Sequence, residues 1–155
     1  MTGKAKPIPD GLHGATPYLC CRNAAEAIDF YTRAFRATEV MRLAEPGGRI
    51  GHAEIRIGDA LIMISDEYPE LDVHSPQALG GTPVRIHLYV EDVDALASEA
   101  VAAGAKMLIP VSDQFYGDRS GRLADPFGHV WIFSTHKEDV SAEEMQKRYE
   151  AMMKQ

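Results

Sequence analysis

The chain runs twice through the same order of elements, and this constrains its fold more than any other feature. "ATPYLCC" (15–21) reads as a short strand, and Asn23 with Glu26 three residues on forms a capping box for the helix "AAEAIDFYTRAF". Ala27, Ile28, Tyr31, Ala34 and Phe35 give that helix an apolar stripe at helical spacing. "EVMRL", "GHAEIRI" and "ALIMIS" follow as three strands, with "PGG" and "GD" as turns. The order then recurs: "VRIHLYV" (84–90) is a strand, Asp92 caps a helix "VDALASEAVAAG", and Gly104 ends it. "AKMLIPV", a long loop "SDQFYGDRSG", "RLAD" and "HVWIFST" complete the second round. Asn23 matches Asp92 at an offset of 69 (92 − 23), and Leu19 matches Leu88. Gly58 before "DALIMIS" matches Gly128 before "HVWIFST" at 70 (128 − 58), so a single one-residue gap aligns the halves.

Two βαβββ units make an α+β chain forming one domain overall. Residues 1–14 are a lead-in, 15–66 the first module, 67–83 a Pro-, Gly-, Asp- and Ser-rich connecting loop, 84–136 the second module, and 137–155 a helical tail. In the tail Ser141 and Glu144 make another capping box, and Met145, Tyr149 and Met152 share a face. That helix docks on the body or on a second subunit, or it frays as a terminus.

A formal charge of −7 with no basic run leaves nucleic acid and anionic membrane without an electrostatic footprint. No apolar run is long enough to span a bilayer, and "MTGKAKPIPDGLHG" lacks the apolar segment of a signal peptide. Cys20 and Cys21 are the only cysteines; as strand neighbours they point to opposite faces and make poor disulfide partners, so a reducing, cytoplasmic setting is expected.

"TPYLCCRNAAEAIDFYTRAF", "GHAEIRIGDALIMISDE", "HLYVEDVDALASEAVAAGA" and "FYGDRSGRLADPFGHVWIFSTHKEDVS" stand in this order over most of residues 15–141. The ordered set resembles the vicinal oxygen chelate superfamily of glyoxalase I, bleomycin-resistance proteins and extradiol dioxygenases, and within it the PhnB-like branch. The resemblance implies two paired βαβββ modules forming a curved eight-stranded mixed sheet around a cavity, within a homodimer. It does not fix an activity, since the superfamily holds lyases, isomerases, dioxygenases and non-catalytic binders.

Enzymatic members of the superfamily carry four metal ligands, one near the start of each module's first strand and one on each module's last strand. Counting back from Val90 puts Arg85 at the first-strand position, and the same count from Cys21 puts Thr16 there. The last-strand pattern Asp-Pro-x-Gly-x-x-x-Glu meets "DPFGHVWI", which places Ile132 at the glutamate, and Gly58 plus four places Ile62. Isoleucine offers no lone pair, arginine is permanently cationic, and a lone threonine hydroxyl is a weak ligand. Zinc, nickel or iron needs imidazole, carboxylate or thiolate. No metal and no cofactor is therefore expected at the usual place; a slip of two residues would bring in His87, one ligand rather than a set.

Of the six histidines, His87 alternates with Arg85 and Tyr89 on one strand face, either as a hydrogen-bonded core residue or as a ligand contact. His129 alternates with Trp131 and Phe133 on the helix-packing side. His52, Glu54 and Arg56 form a solvated polar face or a cavity wall, and His13, His74 and His136 fall in loops or strand ends. Cys20 shares the alternation of Thr16 and Tyr18 and is a buried thiol or, less simply, a nucleophile. "EPGGRIG" lacks the context of a phosphate loop and reads as a hairpin turn.

What is left is a cavity lined by Thr16, Tyr18, Ile62, Arg85, His87, Tyr89 and Ile132, with "QFYGDRSGR" as a lid bringing Phe115, Tyr116 and Arg122. That lining suits a small planar or amphipathic ligand with an anionic group facing Arg85. Asp118, Arg119 and Arg122 contribute to the ligand site or form a salt-bridge network holding the loop; "YGDR" resembles a recurrent PhnB-like element to which sequence assigns no mechanism. Three functions follow. The first is a metal-free small-molecule binder, for a drug or metabolite, with its ligand at a dimer interface. The second is a divergent lyase, isomerase or dioxygenase whose metal has moved to His52, Glu54, His87 or the pair Asp66/Glu67. The third is metal-free acid–base catalysis through His87.

Overall fold

In a computed structural model, which describes residues 3–155, the two expected modules follow one another. The first comprises β1 (Tyr18–Cys20), α1 (Ala24–Phe35), β2 (Thr38–Ala44), β3 (Ile50–Ile57) and β4 (Ala60–Ser65). The connecting segment is not bare loop: it holds a 3-10 turn at Pro69–Leu71 and the short helix α2 (Pro76–Leu79). The second module comprises β5 (Arg85–Tyr89), α3 (Val93–Ala103), β6 (Lys106–Asp113), β7 (Asp118–Ala124) and β8 (Val130–His136), and α4 (Ala142–Met153) closes the chain.

The eight strands form two four-stranded mixed sheets, ordered β1-β4-β3-β2 and β5-β8-β7-β6, rather than one continuous sheet. In each the first strand runs parallel to the last and the other pairs are antiparallel. Asn23 caps α1 by accepting from the Glu26 amide, Asp92 caps α3 from the Ala95 amide, and Ser141 caps α4 from the Glu144 amide. Asn23 and Arg36 bracket α1 in left-handed conformation.

One face of each sheet meets the helices. Leu19, Ala53, Ile55, Ile57, Ile62 and Ile64 supply it in the first module, and Leu123, Trp131 and Phe133 in the second. These join the α1 residues Phe30, Tyr31 and Phe35 in one core across both modules. Phe35 bridges them directly, with ring centroids 4.9 Å from Trp131 and 4.8 Å from Phe133. Each such buried phenyl contributes about 1.5–3 kcal/mol. His129 adds a polar tie, its Nε2 lying 2.8 Å from the Cys20 carbonyl oxygen, which joins the start of β8 to the end of β1.

Candidate functional site

The other face of each sheet carries the polar and half-exposed side chains, arranged in matching cross-strand rows. In the second sheet His87, Ile132, Arg122 and Ile109 stand side by side on β5, β8, β7 and β6. In the first, Tyr18, Met63, Glu54 and Met41 occupy the same order on β1, β4, β3 and β2. Met63 is thus the twin of Ile132. Ile62 is not: it is wholly buried on the helix side, where its counterpart is Trp131. The glycine match behind the expectation fails because β3 and β4 are joined through Gly58 and Asp59 alone, whereas β7 and β8 are separated by residues 125–129. One residue of slip reverses which face a strand side chain takes.

The places at which the resemblance puts metal ligands therefore carry Thr16, Met63, Arg85 and Ile132, a set without carboxylate, imidazole or thiolate. It does not fit a divalent cation. Among the described residues no three His, Cys, Asp or Glu side chains converge as such an ion requires. Asp66 and Glu67 are committed elsewhere: the Asp66 carboxylate accepts from the Ala24 and Ile50 amides at 2.8 and 2.6 Å, and Glu67 accepts from Arg22 and the Ser75 hydroxyl.

Polar relays run over the open faces. Ser134 Oγ donates to Ser120 Oγ at 3.0 Å, so the His87 Nε2–H, 2.7 Å from Ser134 Oγ, is the donor there. The His87 ring stacks on Tyr89, with centroids 4.9 Å apart. The Tyr89 hydroxyl donates to buried Asp118 at 2.7 Å, and His136 Nδ1 meets the same carboxylate at 2.7 Å. Burial pushes the Asp118 carboxyl up, but these two partners outweigh it and hold it below its ordinary value. In the first module the Tyr18 hydroxyl donates to His52 Nδ1 at 2.6 Å, and His52 Nε2 donates to Glu54 at 3.1 Å. Burial, followed by the Glu54 charge, raises the Tyr18 phenol.

Hollows open along these faces. One of about 570 Å3 lies at the seam between modules, where Thr16, Tyr18, Arg85 and His87 come together. One of about 580 Å3 lies over the first sheet, bounded by Tyr18, Cys20 and Ser65 and by Tyr68, Leu71 and Val73 of the connecting segment. A small one of about 100 Å3 is set into the second sheet among Ile109, Gln114, Tyr116, Ser120, Arg122 and Ile132.

The expected lid is mostly strand: β7 begins at Asp118, so only residues 114–117 form a turn. Tyr116 lines the small hollow, but Phe115 turns to α4, its ring 5.6 Å from Tyr149 and its carbonyl accepting from Arg148. The Asp118/Arg119/Arg122 cluster separates by role. Arg119 pairs with Asp94 of α3 at 2.7 Å and with Asp113 at 3.2 Å, which is structural, while Arg122 takes no part. Gly117 is held at φ +97, its carbonyl accepting from the amides of Lys137 and Glu138. Sequence reasoning missed Asp118 as the anchor of Tyr89 and His136. Only the pairing of Asp118 with His136 across β7 and β8 reveals that role.

The family model described as the Glyoxalase/Bleomycin resistance protein/Dioxygenase superfamily matches residues 12–133. An uncharacterised protein of Mycobacterium bovis is 43% identical over 134 residues, covering 84% of this chain and 88% of its own. Among solved structures, TioX from Micromonospora sp. ML1 superposes with a TM-score of 0.63 at 26% identity, over 83% of this chain and 99% of that one. The fosfomycin resistance protein FosX from Listeria monocytogenes, solved with Mn(II) and sulfate, shares the fold with a TM-score of 0.60 at 22% identity, over 88% of this chain and 96% of its own.

Proposed function

The chain belongs to the glyoxalase/bleomycin resistance protein/dioxygenase superfamily, and on that premise we propose that it binds a small molecule on its joined open faces without a metal. The observation that carries this reading is the pair Met63 and Ile132. Both face the open side at the last-strand positions where enzymatic relatives place acidic ligands, and neither binds a hard cation. The faces around them offer flat aromatic area at Tyr18, Tyr89 and Tyr116, apolar contact at Ile132, and cationic Arg85 and Arg122. A planar or amphipathic drug or metabolite with an acidic group suits that mixture.

Tyr18 at the seam and Tyr89 farther along β5 are both more than half exposed, so a second subunit laid over them would enclose the ligand; a homodimer belongs to the reading. Two free thiols suit a reducing, cytoplasmic setting, and no helix is long and apolar enough to cross a membrane among the described residues. Elemental analysis with native mass spectrometry on protein as isolated tests the whole. The expected result is a dimer without stoichiometric metal that retains a small molecule; one zinc, nickel or iron per subunit would overturn it.

The relay from His87 through Ser134 to Ser120 favours a second reading, metal-free acid–base catalysis with His87 Nδ1 as the proton acceptor. Any turnover found on a ligand must then disappear in His87→Gln. Full turnover in that variant removes this reading and leaves binding alone.

A further inference from the structure

Arg122 sits in the middle of the second sheet, half-buried, and its Nε is wholly shielded from solvent yet has no hydrogen-bond partner among the described residues. The side chain forms no ion pair there either. The acids that could serve are taken: Asp118, farther along β7, is held by Tyr89 and His136, and Arg119 takes Asp94 and Asp113. The internal repeat sharpens the contrast. The twin of Arg122 is Glu54, whose carboxylate does have a partner, the His52 Nε2–H at 3.1 Å. A half-buried guanidinium whose Nε is shielded and unbonded, with no counter-charge beside it, is costly, and a chain with seven excess negative charges has acids to spare for a structural partner.

We infer that Arg122 is the seat of an oxyanion, and that the ligand's carboxylate or phosphonate head enters the small hollow rather than facing Arg85. The inference rests on the reading of the open face as a binding surface and names the ligand's class. The hollow, about 100 Å3, accommodates an acid head and little more, so the planar part of the ligand lies outside it across Ile132 towards His87 and Tyr89. Its donors point to an anion. The guanidinium offers a fork of N–H groups matched to two oxygens, and Tyr116 brings a hydroxyl with no partner among the described residues. Ser120 already accepts from Ser134, which leaves its own proton for an incoming oxygen. Ile109, Ile132 and Gly121 complete the wall.

The test is an NMR titration of 15N-labelled protein at fixed pH and ionic strength with benzoate, phenylphosphonate and neutral benzamide. The Nε–H resonance of Arg122 is assigned by its loss in Arg122→Lys. At least one of the two anions should shift that resonance and the amides of Ser120 and Gly121 saturably, and which one does so separates carboxylate from phosphonate. Benzamide should bind roughly tenfold or more weakly, and Arg122→Gln should lose roughly tenfold or more of the anion affinity while leaving benzamide unchanged. Equal binding of benzamide and both anions overturns the oxyanion seat while leaving a small-molecule site standing. An unmoved Nε–H, or an unaltered anion affinity in Arg122→Gln, overturns it too. Anion binding at Arg122 in protein that also holds a stoichiometric metal would keep this inference and remove the metal-free reading.

Discussion

The hydroxyl of Tyr31, on the helix of the first module, donates to the carboxylate of Asp125, in the β7–β8 turn of the second, across 2.5 Å. Asp125 also accepts from Trp131 Nε1 at 2.9 Å and from the amides of Phe127 and His129 at 2.8 and 3.0 Å. Burial drives the Tyr31 phenol well above its ordinary value, and the neighbouring Cys21 and Asp125 charges add to this, so the hydroxyl stays a donor throughout the useful pH range. Tyr31→Phe leaves one lobe of a buried carboxylate short of a donor and should cost about 1.5–3 kcal/mol in urea unfolding. Asp125→Ala strands four donors at once and should cost more. A Tyr31→Phe variant as stable as the parent would show that the turn does not depend on the inter-module bond.

Gly117 carries a second structural prediction. At φ +97 an L side chain is strained, and a Cβ there would meet the Glu138 carbonyl oxygen at 2.2 Å and Val140 Cγ2 at 3.0 Å. Both contacts belong to the segment leading into α4, which Arg148 ties back through Glu138 and the Phe115 carbonyl. Gly117→Ala should therefore lower stability by about 1–3 kcal/mol and raise hydrogen exchange first in residues 137–153. Uniform loosening of the whole chain would argue instead for a global role of the turn.

The repeat, the helix caps and the helix-side residues were legible because each leaves a local mark: a cap three residues before its amide, or a stripe at period 3.6 or 2. Ile62 shows the limit. Gly58 reads as a fixed point in the sequence, but it sits in a two-residue connection in one module against a longer one in the other, so the strand behind it shifts by one and its faces exchange. Ile132, counted within its own turn and strand, does face the open side in the structure. Arg122's isolation had no local mark at all. Which acid a strand arginine meets depends on cross-strand register and on what other partners hold that acid, and neither is written near residue 122.

His136 gives a pH-dependent handle. Its ring is bonded to Asp139 and to Asp118, in that order of weight, and both raise its pKa above the ordinary 6.5. A raised histidine adds stability that is complete below 6.5 and fades as pH climbs through the higher folded value. The depressed Asp118 carboxyl works in the opposite direction, adding stability above 3.8 that is lost as pH falls through its lower folded value. The pair together should thus stabilise most between these two limits. His136→Asn should flatten the alkaline-side decline in denaturant midpoint between pH 6 and 8. An unchanged slope in the variant would assign the decline to other groups.

Cys20 offers the last prediction, on reactivity. Its thiol lines the apolar hollow over the first sheet and donates weakly to the Asp66 carbonyl at 3.7 Å. Burial, followed by the charges of Glu67 and Asp66, pushes it up from 9.0 to about 11. Two pKa units reduce the thiolate fraction at neutral pH by roughly a hundredfold, and only the thiolate attacks a disulfide reagent or an alkylator. Cys21 is buried in the core, and its thiol is pushed higher still, chiefly by burial. Titration of native protein with a chromogenic aromatic disulfide near pH 7.5 should show one thiol reacting about a hundredfold more slowly than free cysteine. The second should appear only on unfolding. A Cys20 that reacts as fast as free cysteine, with the slow phase absent, would mean that the thiolate is stabilised in the hollow, and would return Cys20 to consideration as a nucleophile.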